Sequence, residues 1–362
     1  MNGDLIIRAD ATPKIGSGHL IRCLVLAQAW KELGERVIFV TFCESEVLRR
    51  RIQNEGFDLI LIKSPHPNPS DLKQILSTLE ANVSNFKSNS LKISKKLKPW
   101  LILDGYNFDC NYQDVIKKAN CKLMIIDDLH HFSNYRADIL LNQNLHAEHF
   151  QYNVHPDTRL ILGTKYIILP KNILYYKTWI RPIPRTASKI LITFGGSDPT
   201  DTTAKILKII IHLSDKNLDI KIVVGPMNNR LVNYKKLLKD HSNVSLMSNI
   251  GNMQELLVWA DLAIICAGGT LWECLFLGCP TVSFSANQVQ KDILLSLHQK
   301  SMVHYVGDVN EVTSQDIKHS LESIVSSKYL RSELSKNGKD LVDGKGVSRI
   351  IDNMITIGGL NG

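Results

Sequence analysis

Short apolar runs, each closed by a glycine or polar break and followed by a helical period, recur along the whole chain. In the first half they fall at 5–7, 37–42, 59–62, 100–103, 123–126 and 139–141. In the second half they fall at 189–193, 220–224, 244–247, 262–265 and 280–284. Runs this short and this continuously apolar, alternating with helical stretches, predict parallel α/β architecture. The helix over 20–33 carries apolar residues at 20, 21, 24, 25, 27, 30 and 33, one buried stripe, and Gly34 is placed to cap its end. Further helices are predicted from Thr200 or Asp201 through 213, over Met253–Trp259, from about Leu271, and over 347–357.

Between 163 and 187 this rhythm breaks, with prolines at 170, 182 and 184. The reading is therefore an N-terminal domain at 1–165, a connection at 166–187 and a C-terminal domain at 188–362, its last helix free to pack back on the first domain. A length of 362 residues suits two such cores. The hydrophobic share of 44% and charged share of 22% fit a soluble globular protein. No apolar run reaches the ~20 residues that cross a bilayer, and the N-terminus lacks a signal-peptide pattern. Seven cysteines without a Cys-x-x-Cys pair read as reduced thiols, which with the missing leader predicts a cytoplasmic location.

The net charge of +8 suits an anionic ligand. Part of the excess sits in a Ser/Asn-rich stretch from Lys87 to Lys98, read as a solvated insertion, with a membrane-surface or partner patch as the other reading. A nucleic-acid binder would interleave aromatics with basic motifs; aromatics are 7% and no such motif is present.

The chemistry concentrates at strand ends. After the first run come Arg8, Asp10, then Gly16-Ser17-Gly18-His19 at a helix start, with Arg22 one turn on. The glycines permit close approach of a ligand, and the helix start offers unpaired N–H groups to an anion such as pyrophosphate. His19 then reads as a general base beside a phosphate site, or as a packing histidine. Asp10 orients His19 or caps the loop; Arg8 and Arg22 add charge or serve the fold. In the second half, Gly195-Gly196-Ser197 forms a backbone nest, with Asp198-Pro199 readable instead as a turn and cap. Gly268-Gly269-Thr270 makes a second such turn, and Glu273 one helical turn later suits a ribose diol or a capping box with Thr270. Asn287 and Gln288 follow another strand and suit sugar hydroxyls or acetamido groups. Asp127-Asp128-Leu129-His130-His131 has the composition of a metal site, but neighbours on a strand alternate faces and do not converge. His146 and His149 lack the spacing of a helical zinc pair. No metal and no cofactor are expected.

The run from Met253 through Leu256-Leu257 and Ala260-Asp261, with Gly268-Gly269-Thr270, Glu273, Gly278 and Pro280, resembles the nucleotide-binding half of GT-B proteins such as the GlcNAc transferase of lipid II synthesis. Taken with Arg8, Asp10, Ile15, Gly16, Gly18, His19 and Arg22, the chain resembles the UDP-2,4-diacetamido-2,4,6-trideoxy-β-L-altropyranose hydrolases of pseudaminic acid biosynthesis. Asp104-Gly105-Tyr106, Asp127-Asp128, Asp138 through Asn144, the nest at 194–198 and the tail from Asp343 to Arg349 extend the likeness over most of the chain. One segment departs from it. Leu169-Pro170-Lys171-Asn172-Ile173 stands where the family carries Leu-Arg-x-Glu-Phe, so Pro170 and Asn172 replace an arginine and a glutamate and open the identity of the sugar.

The resemblance implies an α/β, GT-B-like fold with two doubly wound Rossmann-type domains facing across a cleft. It also implies a monomer acting on a UDP-sugar without a metal, releasing UDP and the free sugar with inversion. His19, helped by Tyr106, would hold the attacking water. Ile250 and Met253 join the nucleotide-binding positions. Two rival activities share this pattern: a GT-B glycosyltransferase using a UDP-sugar donor, and a hydrolysing UDP-GlcNAc 2-epimerase.

Overall fold

The computed structural model describes residues 3–84, 98–211 and 218–359. The lysine-rich stretch therefore lies outside the described residues except for Lys98, as does the expected end of the helix at 213. By its internal contacts the chain forms two units. Of the described residues, one holds those within 1–12, 19–168 and 345–362; the other holds those within 13–18 and 169–344.

The first unit runs β1 (Leu5–Ala9), α1 (Gly18–Lys31), β2 (Val37–Thr41), α2 (Glu46–Asn54), β3 (Asp58–Leu61), α3 (Asp71–Ser84), β4 (Trp100–Asp104), α4 (Cys110–Lys118), β5 (Lys122–Ile126), β6 (Ile139–Asn142) and β7 (Arg159–Leu162). Its seven strands are all parallel, in the order β3-β2-β1-β4-β5-β6-β7. Every residue of β1, β2, β4 and β5 is buried, as expected of strands covered by helices on both faces. Each fully buried Leu or Ile here contributes roughly 1.5–3 kcal/mol. Helix α1 is more deeply embedded than one stripe. It buries Leu20, Cys23, Leu24, Val25, Leu26, Ala27 and Trp30 along with His19. It stops at Lys31 and leaves Leu33 exposed, and Gly34 (φ +82°) closes it with an N–H bond to the Lys31 carbonyl at 2.9 Å.

The second unit runs β8 (Lys189–Thr193), α5 (Thr202–Ile210), β9 (Asp219–Val224), α6 (Leu231–Leu237), β10 (Val244–Ser248), α7 (Met253–Trp259), β11 (Leu262–Cys266), α8 (Gly269–Phe276), β12 (Thr281–Ser285), α9 (Gln288–Gln299), β13 (His304–Asp308), α10 (Ser314–Ser326) and α11 (Lys328–Leu341). Six parallel strands pair in the order β10-β9-β8-β11-β12-β13. Their core is Ile190, Ile192, Ile206, Ile220, Ile222, Leu262, Ile264, Val282 and Phe284 with helix residues such as Leu321 and Ile324. The final helix α12 (Gly346–Gly359) groups with the first unit.

Both sheets reverse direction beside their first strand: between β1 and β4 in one unit, and between β8 and β11 in the other. In doubly wound sheets, ligands bind outside the carboxyl ends of the strands at such a switch point.

Candidate active site and nucleotide-binding turns

In the first unit the switch point is built from charged side chains. Ala9, the last residue of β1, pairs in register with Asp104, the last residue of β4. The start of α1 and the end of β4 therefore meet. His19 Nδ1 lies 2.6 Å from Asp104 Oδ1, with both residues buried. One turn along α1, Arg22 donates Nε to Asp104 Oδ2 at 2.7 Å and Nη2 to Oδ1 at 2.6 Å. Its other edge reaches Asp128, two residues past β5, through Nη1 at 3.0 Å and Nη2 at 2.8 Å. Asn144 donates a side-chain N–H to Asp128 Oδ1 at 3.2 Å.

The protonation pattern follows from these partners. Burial alone would raise the Asp104 carboxyl, but the charges and hydrogen bonds of Arg22 and His19 prevail and hold it well below the usual carboxylate range. A carboxylate can only accept, so Nδ1 carries the proton in the bond to Asp104. Arg22 Nη2 spends both hydrogens on Asp104 and Asp128, so its 3.2 Å approach to Nδ1 is a contact without a hydrogen to share. The remaining nitrogen, Nε2, has no hydrogen-bond partner among the described residues. When the ring is neutral, Nε2 is its proton acceptor.

Tyr106 stands beside this dyad, its ring edge-on to His19 with centroids 4.7 Å apart. Desolvation, with Asp128 second, pushes its phenol up to about 12, so it stays protonated through the physiological range. Gly105 makes the placement possible: it sits at φ +159°, and a Cβ there would come within 3.0 Å of the Phe108 ring.

Of the two roles open to Arg8 and Asp10, their bonds are those of the structural one. Arg8 is fully buried and locked to Asp10 (2.9 Å from Nη2) and Asp71 (2.8 Å from Nε). Asp10 also accepts the backbone N–H groups of Phe42 and His66, both at 2.8 Å, and makes no bond to His19. Both residues tie β1 to its neighbouring loops, and the carboxylate on His19 is Asp104. Spacing could not have revealed this, because His19 and Asp104 are 85 positions apart; the visible signal was only an acid at a strand's end.

The second unit's switch point is made of backbone. After β8, Gly195 takes φ +75°, and Gly225 packs so closely that a Cβ on it would be 2.2 Å from the Gly195 carbonyl oxygen. Gly16 and Ser17 group with this unit, and a Cβ on Gly196 would lie 2.2 Å from Ser17 Oγ. Ser197 is buried beside them. Asp198 turns its carboxylate onto the start of α5, accepting from Thr202 N at 2.8 Å and Thr203 N at 2.9 Å, so it acts as the cap and occupies that helix end. The start of α8 is different. Gly268 is its N-cap, no side chain caps it, and added Cβ atoms on Gly268 or Gly269 would meet nothing within 4 Å. The capping box conceived for Thr270 and Glu273 does not form, which leaves backbone N–H groups and a positive dipole end for an anion.

Asn287 caps α9 by accepting from Gln290 N at 3.0 Å, and Gln288 donates to Asp292 at 2.7 Å, so both have partners within the chain. Ile250 is half-buried ahead of α7, and Met253 is the first residue of that helix. Pro170 precedes a 3₁₀ turn over Lys171–Tyr176, and the Asn172 Oδ1 is buried without a hydrogen bond. Among the described residues no cluster of His, Cys, Asp or Glu is arranged for a metal, and no helix is long and apolar enough to cross a membrane.

Solved structures of similar architecture include MurG of Acinetobacter baumannii, at TM-score 0.61 and 14% identity over 97% of this chain and 98% of that one. The UDP-GlcNAc 2-epimerase of Neisseria meningitidis aligns at TM-score 0.62 and 14% identity over 98% of this chain and all of its own. The fold is of the GT-B type. A family model, the glycosyltransferase family 28 C-terminal domain, matches residues 190–353. Among curated sequences, an uncharacterised protein of Methanocaldococcus jannaschii is 28% identical over 90% of this chain, which spans 64% of that protein's length. The spore coat polysaccharide biosynthesis protein SpsG of Bacillus subtilis is 22% identical over 95% of both chains. The UDP-2,4-diacetamido-2,4,6-trideoxy-β-L-altropyranose hydrolase of Campylobacter jejuni is 23% identical over 75% of this chain and 88% of its own. The curated relatives thus include proteins named for polysaccharide biosynthesis and for nucleotide-sugar hydrolysis.

Proposed function

We propose that this protein hydrolyses a UDP-sugar at the anomeric carbon. The observation that carries the reading is the His19–Asp104 bond, which commits Nδ1 as donor and leaves Nε2 to accept a proton. A water held by Nε2 attacks the anomeric carbon from the side opposite the pyrophosphate. The new C–O bond forms as the bond to the β-phosphate oxygen breaks, its electron pair leaving with UDP while Nε2 takes the water's proton. General-base assistance of this kind supplies about 10²–10⁴-fold. Asp104 steadies the imidazolium that results, and Arg22, fixed by Asp128, keeps Asp104 ionised. Tyr106 limits the motion of the His19 ring and presents a neutral phenol.

UDP is assigned to the second unit. Its pyrophosphate is suited to the uncapped α8 start at Gly268, Gly269 and Thr270 and to the nest at Gly195, Gly196 and Ser197, where preorganised N–H groups stabilise the leaving charge. Glu273 is the candidate acceptor for the ribose. The sugar is read as a diacetamido-trideoxy hexose of nonulosonic acid synthesis, a reading supported by the hydrolase of Campylobacter jejuni, in a monomeric cytoplasmic enzyme. Pro170 and Asn172 make a related 6-deoxy sugar a second candidate.

A transferase reading is favoured by the family 28 match, since that family is described as one of glycosyltransferases. The two separate on one assay. With a panel of UDP-6-deoxy and UDP-acetamido sugars and no acceptor, the hydrolase releases UDP well above the buffer rate. Release that requires an added acceptor hydroxyl establishes transfer instead.

A further inference from the structure

The motif with the composition of a metal site, Asp127 to His131, is spread over separate contacts in the structure. Asp127 accepts the N–H groups of Leu129 at 3.3 Å and His130 at 2.9 Å, and the hydroxyls of Tyr135 at 3.2 Å and Tyr152 at 3.3 Å. These bonds pin the turn after β5. His130 adopts a left-handed φ of 50° and lies parallel to the Phe150 ring, centroids 4.8 Å apart. A non-glycine residue in that region is held there by its surroundings.

The consequence falls on the next residue. His131 Nε2 reaches the carbonyl oxygen of Tyr106 at 2.7 Å, and a carbonyl only accepts, so this nitrogen donates. Nδ1 lies 3.8 Å from Asp127 Oδ1. The bond falls two residues past the end of β4, just after Gly105 at φ +159°. The ring so held is the one standing edge-on to His19. The same turn supplies Asp128 to Arg22.

We propose that His131 is a positioning residue, which fixes Tyr106 against His19 through its bond to the Tyr106 carbonyl, with the Asp127-pinned turn as its support. The proposal rests on the reading of His19 and Tyr106 as parts of a UDP-sugar site. Two substitutions isolate the bond. In His131→Gln the amide can place an N–H near the position of Nε2; in His131→Asn it falls short. UDP release is measured for both, alone and with Tyr106→Ala, alongside the ¹⁹F resonance of 3-fluorotyrosine at 106, assigned by its loss in Tyr106→Phe.

The expected result is a kcat lower by up to about 10²-fold in His131→Asn at unchanged KM, the scale of a misplaced group. The Tyr106 resonance shifts in the same variant, His131→Gln restores both, and His131→Asn costs nothing further once Tyr106 is alanine. Equal losses in both Tyr106 backgrounds, or an unmoved resonance, overturn the proposal. If the wild type releases no UDP, the resonance decides alone: a shift in His131→Asn reversed in His131→Gln upholds the clamp and removes only the functional reading.

Discussion

The two switch points of this molecule share one strand topology and are furnished in opposite ways. Beside β1 and β4 stand side chains: a histidine, an arginine and two aspartates joined by bonds of 2.6–3.0 Å. Beside β8 and β11 stands main chain, with glycines at 195, 196, 268 and 269. On the proposed function, the difference is one way for a single architecture to divide a reaction. Moving a proton requires a titratable group with its tautomer fixed, and so a buried ionic framework. Holding a pyrophosphate requires fixed dipoles and close approach, and so no side chain at all.

Substitutions test this division by striking each side in its own currency. The largest effect is expected from His19→Ala, which should lower kcat for UDP release by about 10²–10⁴-fold while UDP affinity by calorimetry stays unchanged. A parallel loss of UDP binding would show that the two roles are not separated. Next comes the buried Arg8 cluster that ties β1 to its loops. Asp71→Ala leaves the fully buried Arg8 with one carboxylate fewer, and urea unfolding should report a loss of about 3–5 kcal/mol, as for other broken buried pairs.

On the backbone side, Gly269→Ala introduces a methyl group into open space, so the melting temperature should hold. UDP affinity should fall on the order of tenfold, about 1.4 kcal/mol, with kcat little changed; a kcat effect without an affinity effect would reverse the assignment. The smallest effect is one of pH. The Asp104 carboxyl is held below its unfolded value, so its contribution to stability is complete above the ordinary carboxylate pKa of about 3.9 and fades as pH falls through and below it. The stability gap between wild type and Asp104→Asn should therefore narrow as pH falls below about 4. A gap that widens as pH drops below about 4 would contradict the ion pairing.

The sequence made most strands of both sheets visible because parallel strands buried on both faces are written as unbroken apolar runs. It hid the elements that bury little, β7 (Arg159–Leu162) among them. Helix α2 reads Glu-Val-Leu-Arg-Arg-Arg-Ile-Gln-Asn and buries only Leu48 and Ile52, and β13 is half-buried along its length with a glycine in it. His19 and the glycine turns were legible because a turn's chemistry is local. Their partners were not. Asp104 and Asp128 reach α1 only through the pairing of β1 with β4 and of β4 with β5, which no spacing along the chain encodes. Asp10 shows the converse: it is near His19 in sequence, which left its role open, and is bonded to Arg8, Phe42 and His66.

The central claim, water attack on the anomeric carbon with His19 as base, is tested most directly by turnover of the UDP-sugar in ¹⁸O-water with mass analysis of the released UDP. The account predicts UDP free of the label, its bridging oxygen having left intact. Label in the UDP phosphate would place the attack at phosphorus and contradict it.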